Sequence, residues 1–93
     1  MDVEVTHEPE HKRFVVKSER GESRLFYVRA GEGVVDFCST YVEPSARGHG
    51  VGEWIVRAAL EWARSEGLKV IPSCWFVGTV VRRHPEYRAL LEG

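Results

Sequence analysis

Hydrophobic and polar positions alternate from Met1 to Val42. β-branched and aromatic side chains recur at every second position, and short polar turns that contain Gly or Pro separate the runs. A strand has this period because its successive side chains point to opposite faces of a sheet. The pattern therefore predicts four antiparallel strands, at residues 3–7, 13–17, 23–29 and 34–42.

Within the fourth predicted strand, strict alternation assigns each side chain to one of two faces. Val35, Phe37, Ser39 and Tyr41 are expected on one face, and Val34, Asp36, Cys38, Thr40 and Val42 on the other. Each set mixes polar and apolar residues. We therefore predict that this strand contributes partly to the core and partly to another surface.

The period of the pattern becomes helical after Pro44. Apolar residues then recur at the spacing of a helix that buries one face, and they are Val51, Trp54, Ile55, Ala58, Ala59, Trp62 and Ala63. Gly67 supplies a left-handed stop. The helix is predicted over residues 50–66, with Trp54 and Trp62 in the core.

A short apolar strand, residues 68–72, follows this helix. Because a helical crossover joins it to the fourth strand, the two are expected to run parallel. Residues 73–83 fit either a helix or a strand, and Pro85 is expected to begin a short amphipathic helix. The chain is thus predicted to be one α/β (α+β) domain over residues 1–93, with an antiparallel meander, a β-loop-α-β unit and a mixed sheet.

Composition narrows the classes of function. The chain is 43% hydrophobic and 29% charged, and its formal net charge of -1 gives no basic excess to attract nucleic acid or anionic lipid. No apolar run approaches the roughly 20 residues that span a bilayer, and the acidic start shows no secretory pattern. We expect a cytoplasmic protein, a monomer or weak homo-oligomer, with no nucleic-acid or membrane partner.

The two cysteines, Cys38 and Cys74, lack the CxxC or Cys/His spacing of a zinc site. We therefore expect no metal. The sequence leaves a disulfide between them open, although a domain this rich in apolar residues does not require one.

A glycine-rich segment, Arg47-Gly48-His49-Gly50-Val51-Gly52, joins the fourth strand to the helix. Glycine lets backbone N–H groups at the positive end of a helix dipole approach an anion closely, which suits a phosphate. Packing alone is the alternative, because short loops between strands and helices often carry glycine. The Lys-Ser/Thr pair of a Walker loop is missing.

The spacing Arg47-x-x-Gly50-x-Gly52 resembles the Arg/Gln-x-x-Gly-x-Gly/Ala motif of the GNAT superfamily of N-acetyltransferases. The resemblance continues through residues 66–74 and 82–87, which look like the short stand-alone GNAT-like branch called YjdJ-type. It implies a GNAT-like fold, acetyl-CoA (coenzyme A) as cofactor and an amine as the acceptor of the acetyl group.

The resemblance also implies a cofactor site. In the family, loop amides bind the pyrophosphate and the preceding strand offers backbone groups to the pantetheine arm. The cofactor-binding residues expected here are Tyr41, Val42, Arg47, Gly48, His49, Gly50, Val51, Gly52, Arg82 and Arg83. For the pair Arg82 and Arg83, a solvated helix face is the alternative to contact with the phosphates.

Cys74 is the catalytic residue that the resemblance implies, because the short branch carries a cysteine at the end of the strand that flanks the thioester. Its thiol would donate a proton to the leaving sulfur or accept the acetyl group, and a small buried hydrophobe is the alternative. Trp75 is expected to line the same slot. The chain departs from the branch at two places. The branch is expected to carry a tyrosine near the position of Val80 and a histidine near Cys38 or Ser39, and this chain has neither.

Three functions of different classes fit these observations. The first is an N-acetyltransferase-like protein that moves acetyl from acetyl-CoA to an unidentified amine, on a small molecule or a protein. The second is a coenzyme A binding module without efficient catalysis. The third is a protein-interaction domain that uses no cofactor.

Overall fold

A computed structural model describes residues 4–19, 21–48 and 50–92. Its strands are β1 (Val5–Glu8), β2 (Arg13–Ser18), β3 (Gly21–Arg29), β4 (Val34–Tyr41) and β5 (Lys69–Ile71), and its helices are α1 (Val51–Ser65) and α2 (Trp75–Arg83). Three 3-10 helices, Pro9–His11, Pro44–Ala46 and Pro85–Leu90, complete the order of elements. Residue 3, where the first strand was predicted to begin, lies outside the described residues.

The strands form one five-stranded sheet in the order β1-β2-β3-β4-β5. The first four strands are antiparallel, and β5 runs parallel to β4. The parallel pair follows from the connection, because α1 carries the chain back to the end of the sheet where β4 began. The predicted mixed sheet, with an antiparallel start and a β-loop-α-β unit, is confirmed.

Helix α1 covers one face of the sheet, although the residues it buries differ from the predicted stripe. Its buried residues are Val51, Gly52, Ile55, Val56, Ala59, Leu60 and Ala63. Trp54 is 46% exposed, so its predicted place in the core is wrong. Apolar residues extend around more than half of this helix, and packing places Val56 and Leu60, rather than Trp54, against the sheet.

Residues 75–83, which the sequence left open between helix and strand, form α2. Its buried residues, Val77, Val80 and Val81, follow the helical i, i+3, i+4 spacing and join the same core cluster as α1. The segment that begins at Pro85 is a 3-10 helix, and Leu91 then forms a parallel bridge with Val70 at the β5 edge of the sheet.

A β-bulge in β4 changes which side chains share a face. Phe26 of β3 pairs with Ser39, but its neighbour Tyr27 pairs with Phe37, so Cys38 is the extra residue. Beyond the bulge, Thr40 pairs with the buried Leu25 and shares the face of Phe37. The strict alternation predicted for this strand is therefore wrong from Ser39 onward.

The two faces of the sheet have different surroundings. One face packs against α1 and α2, through a core that includes Phe14, Leu25 and Phe37. The opposite face, which we call the open face, carries Val28 and Tyr41, which are 46% and 41% exposed. Within the described residues, no helix combines the length and the apolar character needed to cross a membrane.

Candidate functional site

A cleft of about 640 Å³ opens where β4 and β5 diverge. Strand β5 pairs with β4 only as far as Asp36, whereas β4 continues to Tyr41. The residues that line the cleft are Thr40, Val42, Ala46, Arg47, Gly48, Gly50, Val51, Gly52, Glu53, Cys74, Trp75, Phe76 and Arg83. A volume of several hundred Å³ is in the range of small-molecule sites in proteins.

The glycine loop brings the amino terminus of α1 to this cleft. Gly48 and Gly50 have φ angles of 85° and 77°, the left-handed region that other residues rarely adopt. Gly50 is the N-cap of α1 and has no side chain to cap the helix. The first helical hydrogen bond runs from Trp54 N to Gly50 O at 3.0 Å, which leaves the N–H groups of the first turn for other acceptors. His49 lies outside the described residues.

Gly52 has a different role from Gly48 and Gly50. It is buried, and a Cβ atom there would come within 3.0 Å of the Phe76 ring and of a methyl group of Val42. By contrast, a Cβ at Gly50 would meet nothing within 4 Å. Gly52 therefore permits the close approach of α1 to α2 and to Val42, the residue that follows β4. Gly50 instead leaves open space beside the loop.

Two of the three predicted arginines line the cleft. Arg47 donates from Nε to the carbonyl oxygen of Val42 at 3.2 Å, and Arg83 donates from Nη1 to Oε1 of Glu53 at 3.1 Å. Arg82 is not among the cleft residues and donates to the hydroxyl of Thr79 at 3.0 Å. The cleft thus gathers two guanidinium groups beside the start of α1.

Glu53, in the first turn of α1, joins this charged group. Its Oε2 lies 3.4 Å from Nε2 of His84, and its other oxygen accepts from Arg83. Partial burial acts to raise the pKa of Glu53, but the hydrogen bonds from Arg83 and His84 outweigh it, so the pKa lies below the usual 4.5. The carboxylate is therefore ionised at neutral pH and holds Arg83 at the rim of the cleft.

Cys74 lies at the inner end of the cleft, as the N-cap of α2. Its backbone N–H donates to the carbonyl oxygen of Phe37 at 3.0 Å. This hydrogen bond follows the last pair between β4 and β5, which is Asp36 with Ile71. The residue is 8% exposed, and its Sγ donates to Oγ1 of Thr40 at 3.6 Å. The thiol is shielded from solvent but faces the space between the two strands.

Two aromatic residues at the site differ in their placement. Trp75, next to Cys74, lines the cleft and is 77% exposed. Tyr41 is not among the cleft residues; its hydroxyl donates to Glu43 at 3.3 Å, and the guanidinium of Arg24 lies 5.7 Å from its ring. Its side chain therefore lies on the open face of the sheet.

The structure brings most of the expected site residues together. Val42, Arg47, Gly48, Gly50, Val51, Gly52, Cys74 and Arg83 line the cleft, and Tyr41 and Arg82 lie outside it. The sequence did not single out Ala46, Glu53 or Phe76 as site residues. Only Glu53 carried a usable signal, because acidic residues are common in the first turn of a helix, but its partners lie 30 or more residues away.

These features define the class of GNAT-type α/β domains. In that class, two adjacent parallel strands of a mixed sheet diverge beside a glycine loop and the start of a helix. The chain belongs to the GCN5-related N-acetyltransferase family, whose model matches residues 13–90. This match confirms the resemblance to the GNAT superfamily. The assignment to the YjdJ-type branch stays a prediction.

Curated relatives resemble the chain in sequence, and a solved structure resembles it in fold. The chain is 29% identical to Protein NATD1 of Gallus gallus over 85 residues. This aligned segment covers 89% of the chain and 77% of that protein. The chain is also 29% identical to Protein NATD1 of Homo sapiens, over 89% of the chain and 75% of that protein. The structure of a GCN5-like protein from Staphylococcus aureus shares the fold, with a TM-score of 0.76 at 24% identity, over 97% of this chain and 88% of that one.

Proposed function

We propose that this protein binds acetyl-CoA in the cleft and transfers the acetyl group to an amine. One observation carries the proposal: the uncapped amino terminus of α1 and a buried thiol, Cys74, line the same cleft. The first suits a phosphate, and the second suits a thioester. A long ligand with a diphosphate near one end and a thioester at the other would contact both.

The residues present fit the diphosphate. The N–H groups of the first turn of α1 and the left-handed Gly48 and Gly50 supply backbone donors, and the open space beside Gly50 admits a ligand. Arg47 and Arg83 supply guanidinium groups, which bind phosphate oxygens in pairs. Glu53 is the one carboxylate that lines the cleft within the described residues, and its ion pair with Arg83 offsets its charge.

The divergent part of β4 fits an extended amide-bearing arm. Beyond Asp36, β5 no longer pairs with β4, so the β5 side of β4 is available for backbone hydrogen bonds up to Tyr41, apart from the contact made by Cys74. An extended arm pairs with such an edge in the way that another strand does. An arm that follows β4 inward from the start of α1 ends beside Thr40 and Cys74.

Acetyl-CoA supplies the activated acyl group, a thioester. In the reaction the acceptor nitrogen forms a bond to the acetyl carbon, the bond from carbon to sulfur breaks, and the nitrogen gives its proton to solvent. Cys74 holds a proton on Sγ for the leaving sulfur and regains one from solvent. The hydroxyl of Thr40, which accepts from this thiol, orients it, and the buried position of Cys74 limits the access of water.

The variant Cys74→Ser tests this role, with Cys38→Ser as the matched control at the exposed thiol of β4. We expect Cys74→Ser to bind coenzyme A normally and to lose transfer by about a hundredfold or more. The control should keep both properties. Loss of transfer would be read from release of free coenzyme A, and mass spectrometry would show whether acetyl resides on Cys74 or on the amine. Full transfer by Cys74→Ser would contradict the proposal.

A coenzyme A binding module without efficient catalysis is the second candidate. The observation that favours it is the connection between β1 and β2, which consists of the 3-10 helix Pro9–His11 and Lys12 and adds no wall to an acceptor site. Val80, near which the short branch is expected to carry a tyrosine, is fully buried in the core. Tight binding of coenzyme A without transfer to any tested amine would establish this alternative.

A further inference from the structure

Trp75 is the most exposed of the large apolar residues in the part of the chain that the structure describes, at 77%. It nevertheless lines the cleft, as the first residue of α2. The neighbouring Phe76 packs against the hydrophobic core, whereas Trp75 is not part of that core and meets the Phe76 ring edge to face, with centroids 5.8 Å apart. Tryptophan is highly buried on average, so an indole left open on the wall of a cleft indicates a surface for a ligand.

The indole lies next to the reacting atoms of the proposed transfer. Cys74 and Trp75 are consecutive, so their Cα atoms are about 3.8 Å apart. The thioester is proposed to end beside Cys74, and Trp75 lines the same cleft. Aromatic rings pair in offset stacks with centroids about 4.5–7 Å apart. A flat ring stacked on the indole would therefore hold a group at its edge close to the acetyl carbon.

The charged side chains of the cleft indicate which kind of amine it accepts. Within the described residues they are Arg47, Glu53 and Arg83, and Glu53 is already held by Arg83 and His84. The diphosphate would offset the two arginines at the start of α1. This part of the lining leaves no free carboxylate beside Cys74 to bind an alkyl ammonium, which is ionised at neutral pH like lysine, or to remove its proton.

We propose that Trp75 binds the acceptor by stacking and that the acceptor is an aromatic amine, with its nitrogen attached directly to the ring. The inference rests on the proposed function for its acyl donor. The lone pair of such a nitrogen is delocalised into the ring, so the amine is neutral at pH 7 and needs no carboxylate. The nitrogen bonds to the acetyl carbon and the carbon–sulfur bond breaks. The sulfur takes a proton from Cys74, which regains one from solvent, and the nitrogen releases one to solvent.

Two isomers separate the charge of the amine from its ring. 4-Ethylaniline is neutral at pH 7, whereas 2-phenylethylamine has the same atoms and an ionised alkyl nitrogen. Each would be titrated into the coenzyme A-saturated protein, and nuclear magnetic resonance would follow the indole N–H signals of its three tryptophans. Trp75→Ala removes the indole, and Trp75→Phe keeps a ring for stacking. Trp54→Ala is the matched control, because Trp54 is 46% exposed but does not line the cleft.

We expect 4-ethylaniline to shift the indole signal of Trp75 saturably and to leave that of Trp54 unchanged. Its affinity should fall by about tenfold or more in Trp75→Ala, recover largely in Trp75→Phe and stay within about twofold in Trp54→Ala. 2-Phenylethylamine should bind the wild type about tenfold more weakly than its isomer. The kcat/KM for transfer to 4-ethylaniline should follow the same order among the variants.

Three results would overturn the proposal. The first is the absence of saturable 4-ethylaniline binding to the wild type, or equal binding to a folded Trp75→Ala. The second is equal binding of the two isomers. The third is a parallel loss of coenzyme A affinity in Trp75→Ala, which would assign the indole to the cofactor. We expect that affinity to stay within about twofold of the wild type.

The proposed function and this inference fail separately. If the wild type does not bind coenzyme A, the proposed function fails, whereas a titration with 4-ethylaniline alone still decides whether Trp75 stacks on an aromatic amine. If coenzyme A binds and acetyl is transferred to 2-phenylethylamine but not to 4-ethylaniline, the proposed function stands and only this inference is overturned.

Discussion

At the scale of single residues, the glycines of one loop contribute in two different ways. Gly50 needs its left-handed backbone and lies beside open space, whereas Gly52 is buried where a side chain would not fit. The spacing of the motif could be read from the sequence. The difference between the two residues could not, because it depends on Val42 and Phe76, which other elements bring to Gly52.

The left-handed position of Gly50 leads to a prediction about ligand binding. Gly50→Val should weaken coenzyme A binding by at least about tenfold, since a β-branched residue disfavours this backbone and adds a side chain beside the loop. Gly33→Val is the matched control: Gly33 has a φ of 74° with nothing within 4 Å, in the turn before β4. Calorimetry would measure the coenzyme A affinity of both folded variants. If Gly50→Val and Gly33→Val bound coenzyme A equally well, the loop would not be part of the binding site.

A half-buried histidine in β1, His7, leads to a prediction about pH. His7 stacks on Phe14 with ring centroids 4.2 Å apart, and its Nε2 lies 2.7 Å from the hydroxyl of Tyr27. Burial is the main cause that lowers its pKa from the usual 6.5, and the charge of Arg29 acts in the same direction. Between the folded pKa and 6.5, the unfolded chain therefore binds more protons than the folded one.

The folded protein should consequently lose stability as the pH falls below about 6.5 and keep it above that value. Urea denaturation at pH 7.5 and at lower pH would measure the loss. His7→Gln should reduce this dependence, whereas His11→Gln, at an exposed residue of the neighbouring turn, should leave it unchanged. An equal effect of both variants would show that His7 is not the group responsible.

At the scale of elements, the period of the pattern was sufficient for the sheet and for α1, because each buries one side against the core. It was not sufficient for the rotation of α1, since Trp54, Val56 and Leu60 are all apolar and packing selects among them. The sequence also did not predict the bulge at Cys38. The bulge turns the side chain of Thr40 to the face of Phe37, where it contacts Cys74.

The contact between α1 and α2 leads to a prediction about two helical glycines. Gly78→Ala should raise the free energy of unfolding by about 0.5–1 kcal/mol, because alanine is the better helix former and its Cβ would meet only the end of Arg82 at 3.6 Å. Gly52→Ala should bring no gain, or a loss of about 1 kcal/mol, from contact with Phe76 and Val42. Urea denaturation measures both, and an equal gain at the two sites would contradict the packing described here.

At the scale of the whole molecule, the site depends on how one short strand ends. Strand β5 leaves β4 after Ile71, and the next residues place Cys74 opposite Thr40. The order of the strands could be predicted from the helical crossover. The ion pair of Glu53 with Arg83 could not, since it depends on residues that meet only in the folded chain.

The central claim is that the start of α1 holds a diphosphate. A calorimetric comparison of three ligands on the intact protein tests it most directly. Coenzyme A and dephospho-coenzyme A both carry the diphosphate, and pantetheine does not. We predict that dephospho-coenzyme A binds within about tenfold of coenzyme A and that pantetheine binds about a hundredfold more weakly or worse. Equal binding of pantetheine and coenzyme A would contradict the account.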